Sequence, residues 1–237
     1  MQWRTITGPM TSASPSRQPA GELLVPVAPT GTAYRLAKRF LDAVGSLIGL
    51  VVVSPLMLGV GLAVKLDSPG PVLFRQLRLG LGGRPFTVLK FRTMHLSADE
   101  RRHQEHIREL LHADRSADDA TWTPIAADPR VTRIGMFLRH SHLDELPQLV
   151  NVLRGEMSLV GPRPPIPYEV ELYEPWHLPR LSVLPGLTGL WQSRGGGQLS
   201  FGEGVKLDIE YVKRRSFGLD VRIILRTLWQ LLRGRQF

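Results

Sequence analysis

From Ala43 to Val64 the chain runs for 22 residues without a charge, AVGSLIGLVVVSPLMLGVGLAV. As one helix this stretch would be about 33 Å long, enough to cross a bilayer. A soluble core helix is rarely apolar on every face over such a length. Ser54-Pro55 sits almost at the midpoint. Pro55 has no amide proton and its ring meets the carbonyl of Val51, so a break or bend is expected there. A bond from the Ser54 hydroxyl to the Leu50 carbonyl would ease it. Arg35, Lys38 and Arg39 precede the stretch; Lys65, Arg75, Arg78 and Arg84 follow it. Basic flanks on both sides draw both ends to the cytoplasmic face. The pattern leaves three readings open: a re-entrant hairpin with arms of about 16 Å, a kinked span, and a buried soluble helix.

Before this stretch, residues 1–33 carry many Pro, Ser, Thr, Gly and Ala and no hydrophobic period, which predicts a disordered tail and not a signal peptide. After it, Val72–Gln76 and Phe86–Phe91 read as the arms of a β-hairpin, with Gly80, Gly82 and Gly83 in the turn. The Gly-Leu-Gly-Gly run lacks dinucleotide-fingerprint spacing and leads into a strand, so it is not a phosphate loop of that kind. Residues 97–115 predict a densely charged helix, with Arg101 and Glu105 one turn apart. Further helices are expected over 134–153, interrupted near Pro147, and over 205–213 and 219–233, with a Pro-rich loop at 158–167. Helices outnumber strands, and no βαβ alternation supports a large parallel sheet. The fold class expected is mainly α with a small β-hairpin.

Charge narrows the picture. Thirty Lys+Arg stand against 21 Asp+Glu, a formal net charge of +9. Such a balance calls for an anionic partner: nucleic acid, a phosphorylated substrate or acidic lipid. The segment from Tyr211 onward carries seven basic residues and one acid, Asp220. Its last helix is apolar at Leu219, Ile223, Leu225, Leu228, Trp229 and Leu232, which suits an anionic membrane surface or a core helix with a solvated basic face. The absence of cysteine excludes a disulfide framework, a thiolate metal site and a cysteine nucleophile. The pairs His103/His106 and His140/His142 have no further ligands at a metal-binding spacing. No nucleic-acid motif accompanies the charge.

The richest chemistry lies in Leu138–Pro165. Asp144 and Glu145 are adjacent acids, with Pro147 close behind, so Asp144 could simply cap a helix. Arg130, Arg133, Arg139, Arg154 and Arg163 crowd the same stretch. Adjacent helical residues point about 100° apart, so one carboxylate could attack a substrate while the other holds a metal. An aspartate is a feeble nucleophile except toward an activated phosphorus. Against a charged pyrophosphate it needs arginines and Mg²⁺ to spread the oxygen charge. Arg163 stands in Gly161-Pro162-Arg163-Pro164-Pro165, where prolines restrict the backbone, and Lys90 and Arg92 close a predicted strand.

Taken in order, these segments resemble the bacterial sugar transferases, the monotopic polyprenyl-phosphate phosphoglycosyl transferases that begin exopolysaccharide and capsule assembly. The resemblance runs from about Tyr34 to Phe237. It is carried by Lys38-Arg39-Phe40-Leu41-Asp42, Ser54-Pro55, Ser68-Pro69-Gly70-Pro71-Val72 and Lys90-Phe91-Arg92-Thr93-Met94. Arg130-Val131-Thr132-Arg133-Ile134-Gly135 and Leu143-Asp144-Glu145-Leu146-Pro147-Gln148-Leu149 follow. Ser158-Leu159-Val160-Gly161-Pro162-Arg163-Pro164, Pro185-Gly186-Leu187-Thr188-Gly189-Leu190-Trp191-Gln192 and Leu207-Asp208 with Tyr211-Val212 complete the set.

The resemblance implies that Asp144 attacks the β-phosphate of a UDP-sugar, expels UMP and holds the sugar phosphate covalently. A polyprenyl phosphate, usually undecaprenyl phosphate, then takes it up. It implies Mg²⁺ on Glu145, and donor or phosphate contacts from Lys90, Arg92, Arg133, Arg139, Arg163, Gln192 and Asp208. It implies a re-entrant helix at 34–68 broken at Ser54-Pro55, and a catalytic domain over 69–237. That domain would lie on the cytoplasmic face of the bacterial inner membrane against anionic lipid, with a homo-oligomer allowed and no nucleic-acid partner. The version of the late motif resembles members that use UDP-glucose or UDP-galactose. Three positions depart from the pattern. Gly196 stands where an arginine is common, Phe201-Gly202-Glu203-Gly204 replaces a glutamate-rich stretch, and His142 replaces a serine or threonine. The alternative is a non-catalytic, membrane-bound basic module that recruits anionic partners.

Overall fold

The computed structural model describes residues 25–95, 128, 130–195 and 199–233. The expected helix at 97–115, the pair His103/His106, Gly196 and most of the expected tail lie outside the described residues.

Residues 25–31 are extended and bonded to the body. The amide of Val25 donates to the Gly82 carbonyl and that of Ala28 to the Ser182 carbonyl. Helix α1 then runs from Thr32 to Asp67. Its helical assignment is continuous through Pro55, so the expected break is not an interruption of the helix. The Ser54 hydroxyl donates to the carbonyl of Val51 at 2.8 Å, one residue from the Leu50 carbonyl expected. The reason is local: Val51 is the carbonyl that Pro55, lacking an N–H, leaves without its helical donor.

Both ends of α1 lie on the same body. Near its start, Arg39 donates to the carbonyls of Val152 and Leu153. The buried Asp42 carboxylate accepts from Ser158 Oγ and the Leu159 amide, both at 2.9 Å. Near its end, Val60 and Val64 form a core cluster with Phe91 and Leu138. Between Leu47 and Gly59 no residue is buried, and Leu47, Ile48, Val51, Val52, Leu56 and Leu58 are exposed.

Strands β1 (Leu73–Leu79) and β2 (Pro85–Phe91) form the antiparallel hairpin, longer than the sequence suggested. A 3-10 turn at Leu81–Gly83 joins them, with Gly82 and Gly83 at positive φ, where a side chain would be strained. Helix α2 (Arg133–Ser141) is capped by the Thr132 side chain, which accepts from the Gly135 amide. His142 follows at φ 57° and ends it. A 3-10 turn at Leu143–Glu145 leads to α3 (Gln148–Arg154). The interruption expected near Pro147 is thus present, as the segment from His142 to Pro147 that separates the two helices. Asn151 of α3 is fully buried and docks on β2, accepting from the Leu89 amide and donating to the Thr87 carbonyl.

Strand β3 (Ser158–Val160), helix α4 (Pro167–Glu171), a 3-10 segment (Pro175–Ser182) and strand β4 (Gly186–Thr188) follow. β3 pairs with β4 in parallel, a pairing the sequence pattern did not reveal. Gly161 and Gly186 meet there: a Cβ on Gly186 would lie 2.0 Å from the Gly161 nitrogen. Helices α5 (Leu190–Arg194), α6 (Phe201–Arg214) and α7 (Phe217–Leu232) complete the described chain. α7 buries Asp220 and Ile223 but leaves Leu225, Leu228, Trp229, Leu231 and Leu232 exposed. Its apolar side is thus largely outside the core.

Candidate active site

Asp144 and Glu145 occupy the 3-10 turn between α2 and α3. Leu143 and Leu146, on either side of them, pack against the cluster of Val60, Val64, Phe91 and Leu138. Burial of these flanking leucines fixes the turn against α1 and β2 and sets the direction of the two acids between them. Asp144 is no helix cap: α3 begins after Pro147 with no side-chain cap bond.

The two carboxylates have different surroundings. Asp144 is only 9% exposed. Burial pushes its carboxyl up to about 6; Lys90 and Arg139 favour its charge, and the neighbouring Glu145 opposes it. Glu145 exposes about a third of its side chain, and Lys90 Nζ donates to its Oε1 at 2.5 Å. Burial works against its charge too, but Lys90 outweighs that and holds the carboxyl below its ordinary range. The arrangement provides one carboxylate kept ionised by a partner and one that is poorly solvated.

The fit to Mg²⁺ follows from this donor set. Among the described residues no group of three or more His, Asp or Glu stands together. An all-protein cage is therefore not built here. Mg²⁺ is commonly held by one or two carboxylates together with substrate phosphates, and Glu145, with Oε2 outside the bond to Lys90, fits that mode.

The remaining sequence-predicted residues separate into groups. The Arg163 charge contributes to the low carboxyl of Glu145, and its Nη1 lies 3.6 Å from Glu169 Oε1. Arg139 donates from Nε to Thr93 Oγ1 at 2.9 Å and interacts with the Asp144 charge. Arg133 is exposed in the first turn of α2. Arg92 is buried elsewhere: its guanidinium donates to the carbonyls of Val64, Ser68 and Pro69 and to Ser68 Oγ, closing the C-terminus of α1. Asp208 is buried on α6 and paired with Arg180 at 2.6 Å. Gln192, on α5, has a buried Oε1 with no hydrogen-bond partner among the described residues.

Arg163, Arg180 and Asp208 line a shallow, open cleft with Trp191, Phe201 and Gly204. Arg163 thus lines this cleft while its charge acts on Glu145. Its loop is held at four successive carbonyls. The Gly186 amide donates to Pro162 O at 2.8 Å, and Arg180 Nη2 to Arg163 O at 3.2 Å. Arg78 Nη1 donates to Pro164 O at 2.8 Å, and the Leu79 amide to Pro165 O at 2.9 Å. Prolines remove donors, and here the carbonyls are satisfied from three separate elements: β1, the 3-10 segment and β4.

Sequence reasoning missed Arg180 altogether, since Pro179-Arg180 has no motif around it. It counted Arg78 among the charges flanking the apolar segment, whereas the structure buries it. The only cue was its position: two residues after Gln76 on a strand, hence on the same face as Gln76.

The chain matches the bacterial sugar transferase family over residues 33–234. It is 43% identical over 208 residues to a UDP-glucose:undecaprenyl-phosphate glucose-1-phosphate transferase of Caulobacter vibrioides, covering 84% of this chain and 71% of that protein. It is 41% identical over 202 residues to the galactosyl transferase CpsE of Streptococcus agalactiae, covering 85% of this chain but 43% of that protein. It is 40% identical over 193 residues to the exopolysaccharide production protein ExoY of Rhizobium meliloti, covering 81% of this chain and 84% of that protein. The chain belongs to the bacterial sugar transferase family.

Proposed function

We propose that this protein transfers a sugar-1-phosphate from a UDP-sugar to undecaprenyl phosphate, the membrane step that opens exopolysaccharide assembly. The observation that carries the reading is the buried Asp144 beside a Glu145 held charged by Lys90, with the Arg163 charge also acting on Glu145. The relatives named for this reaction support it. Asp144 Oδ attacks the β-phosphorus; the bond from that phosphorus to the oxygen shared with the α-phosphate breaks, and UMP leaves with that oxygen. A phosphate oxygen of the lipid then attacks the same phosphorus and releases the Asp144 carboxylate. Poor solvation makes Asp144 a better nucleophile than an exposed carboxylate. Arg163 would span the donor's pyrophosphate, with the nucleoside toward Trp191 and Phe201. Mg²⁺ bound by Glu145 and the donor phosphates would supply charge neutralisation. UDP-glucose and UDP-galactose are the donors to try first. UMP release from a UDP-sugar panel with undecaprenyl phosphate tests the reading; an Asp144→Asn protein as active as wild type would overturn the nucleophile assignment.

We also infer a monotopic placement on the cytoplasmic face of the inner membrane, with α1 re-entrant about Ser54-Pro55. Support comes from the packing: both ends of α1 rest on one polar body while its middle is exposed and apolar. A straight span would carry one end away from that body by about 30 Å. The exposed leucines of α7 beside Arg222 and Arg226 suit an anionic lipid surface. Single cysteines at Arg35 and Lys65, both exposed, report the topology. Labelling from opposite sides of the membrane would exclude re-entrance.

A further inference from the structure

The two arginines that grip the Arg163 loop are not equivalent. Arg180 donates to the Arg163 carbonyl, but its charge is answered by Asp208 at 2.6 Å, and Tyr173 Oη accepts from its Nη1 at 2.7 Å. Arg78 is buried as deeply, at 6% exposure. Its Nε and Nη2 donate to Gln76 Oε1 at 3.0 and 2.6 Å, and its Nη1 to the Pro164 carbonyl at 2.8 Å. All of these acceptors are neutral. Among the described residues no carboxylate forms an ion pair with Arg78. The Arg163 charge opposes that of Arg78, and the charges of Glu169 and Glu145 favour it without forming an ion pair.

A buried cation without an anion is costly, and packing alone would be served better by an apolar side chain of similar shape. A site that must receive a pyrophosphate gives such a charge a use. Burial lowers the local dielectric, so the charge acts over a longer range than a surface lysine would. Its rigid fork also ties it to the loop that presents Arg163.

We propose that Arg78 is a positioning residue of the donor site, a buried charge with no ion-pair partner among the described residues that anchors the Arg163 loop and adds positive potential for the pyrophosphate. The proposal rests on the transferase reading above. Arg78 acts through Arg163 and the field; it does not itself attack or protonate.

The test compares wild type, Arg78→Met and Arg78→Lys, each as full-length protein in detergent. Three quantities are measured: UDP affinity by calorimetry, UMP release, and the melting temperature. Arg78→Met keeps the bulk and removes the charge. It is expected to bind UDP about tenfold more weakly, with kcat/KM reduced at least as much, because a unit charge at an effective dielectric near 20 is worth about that factor across a site. Its melting temperature is expected to hold or rise, since the desolvated charge is gone. Arg78→Lys keeps the charge and is expected to stay within about threefold of wild type in UDP affinity. A methionine variant with wild-type UDP affinity, whatever its melting temperature, would overturn the proposal. Should the methionine variant not fold, the lysine variant decides: a tenfold loss of UDP binding with an unchanged melting temperature would equally overturn it. Failure of the functional reading is separable, because wild type would then bind UDP yet release no UMP.

Discussion

Lys90 Nζ and Glu145 Oε1 stand 2.5 Å apart across the gap between the end of β2 and the turn that carries the dyad. That contact distinguishes two adjacent acids that look alike in the sequence. Glu145 is held ionised by its partner, and the same cation is the main influence favouring charge on Asp144 against its burial. Lys90 thus sets the charge state of the whole pair.

The reaction needs Asp144 ionised, and its carboxyl is pushed up to about 6 by burial. UMP release should therefore fall as pH drops through about 6, well above the ordinary aspartate range. A kcat/KM profile measured from pH 5 to 8 checks this. A flat profile down to about pH 5 would remove Asp144 from the ionised-nucleophile role.

The same shift has a stability consequence of opposite sense. A carboxyl raised in the folded state favours folding while protonated, and that advantage is lost as pH rises from about 4 to about 6. At pH 7 the charged Asp144 is thus a burden of roughly 1–3 kcal/mol. Asp144→Asn should abolish turnover and raise the melting temperature at pH 7, with a smaller difference near pH 4.5.

Lys90→Met removes the main counter-charge from both acids. The acid limb of the activity profile should move to higher pH, and activity at pH 7 should drop by about tenfold or more. Lys90→Arg should restore part of the activity and return the limb toward its wild-type position. An unmoved limb in the methionine variant would show that Lys90 does not act on Asp144.

Asp220 on α7 is completely buried and joins three partners. Its Oδ2 accepts from Tyr34 at 3.0 Å and from Lys38 at 3.1 Å, and the Tyr211 hydroxyl lies 2.7 Å from Oδ1. This latch ties the start of α1 to the last helix. Asp220→Ala leaves Lys38 without its ion-pair partner and should cost about 3–5 kcal/mol. Thermal unfolding in detergent measures it. Lys38→Met/Asp220→Leu together should recover much of the loss.

Ser54 and Pro55 act as a unit. Ser54→Ala leaves the Val51 carbonyl without any donor and should destabilise α1 by about 1–3 kcal/mol in a lipid environment. Pro55→Leu restores the helical donor and should favour a straight helix. Cysteines at Arg35 and Lys65, labelled from the same side in wild type, should then become labelled from opposite sides. Same-side labelling in the Pro55→Leu protein would mean that packing of both ends on the body, and not the proline, sets the topology.

Much of this was legible before any coordinates. The apolar run, the hairpin with its glycine turn and the late helices announce themselves through periodicity and turn residues, which are local properties. The parallel pairing of Ser158–Val160 with Gly186–Thr188 did not, because each strand is three residues long and the two are far apart in sequence. Arg92 shows the same limit at a single residue. Beside Lys90 it reads as a second phosphate cation, yet its neighbour's side chain points to the dyad while its own turns to the end of α1. β2 ends at Phe91, so the alternation that would place Arg92 on the face of Lys90 does not carry past it.

The sequence by itself determined the residue chemistry: an acid pair without cysteine, a proline-bound arginine and a membrane-length apolar run. These depend on residue type and near neighbours alone. Only the tertiary structure decided which charges serve the site. Arg78, counted among lipid-facing flanks, lies buried under the Arg163 loop; Asp208 is answered by an arginine 28 residues away; Lys90 reaches across 55 residues to Glu145. The physical reason is that a charge acts through distance and burial, and both are set by which distant segments fold against each other.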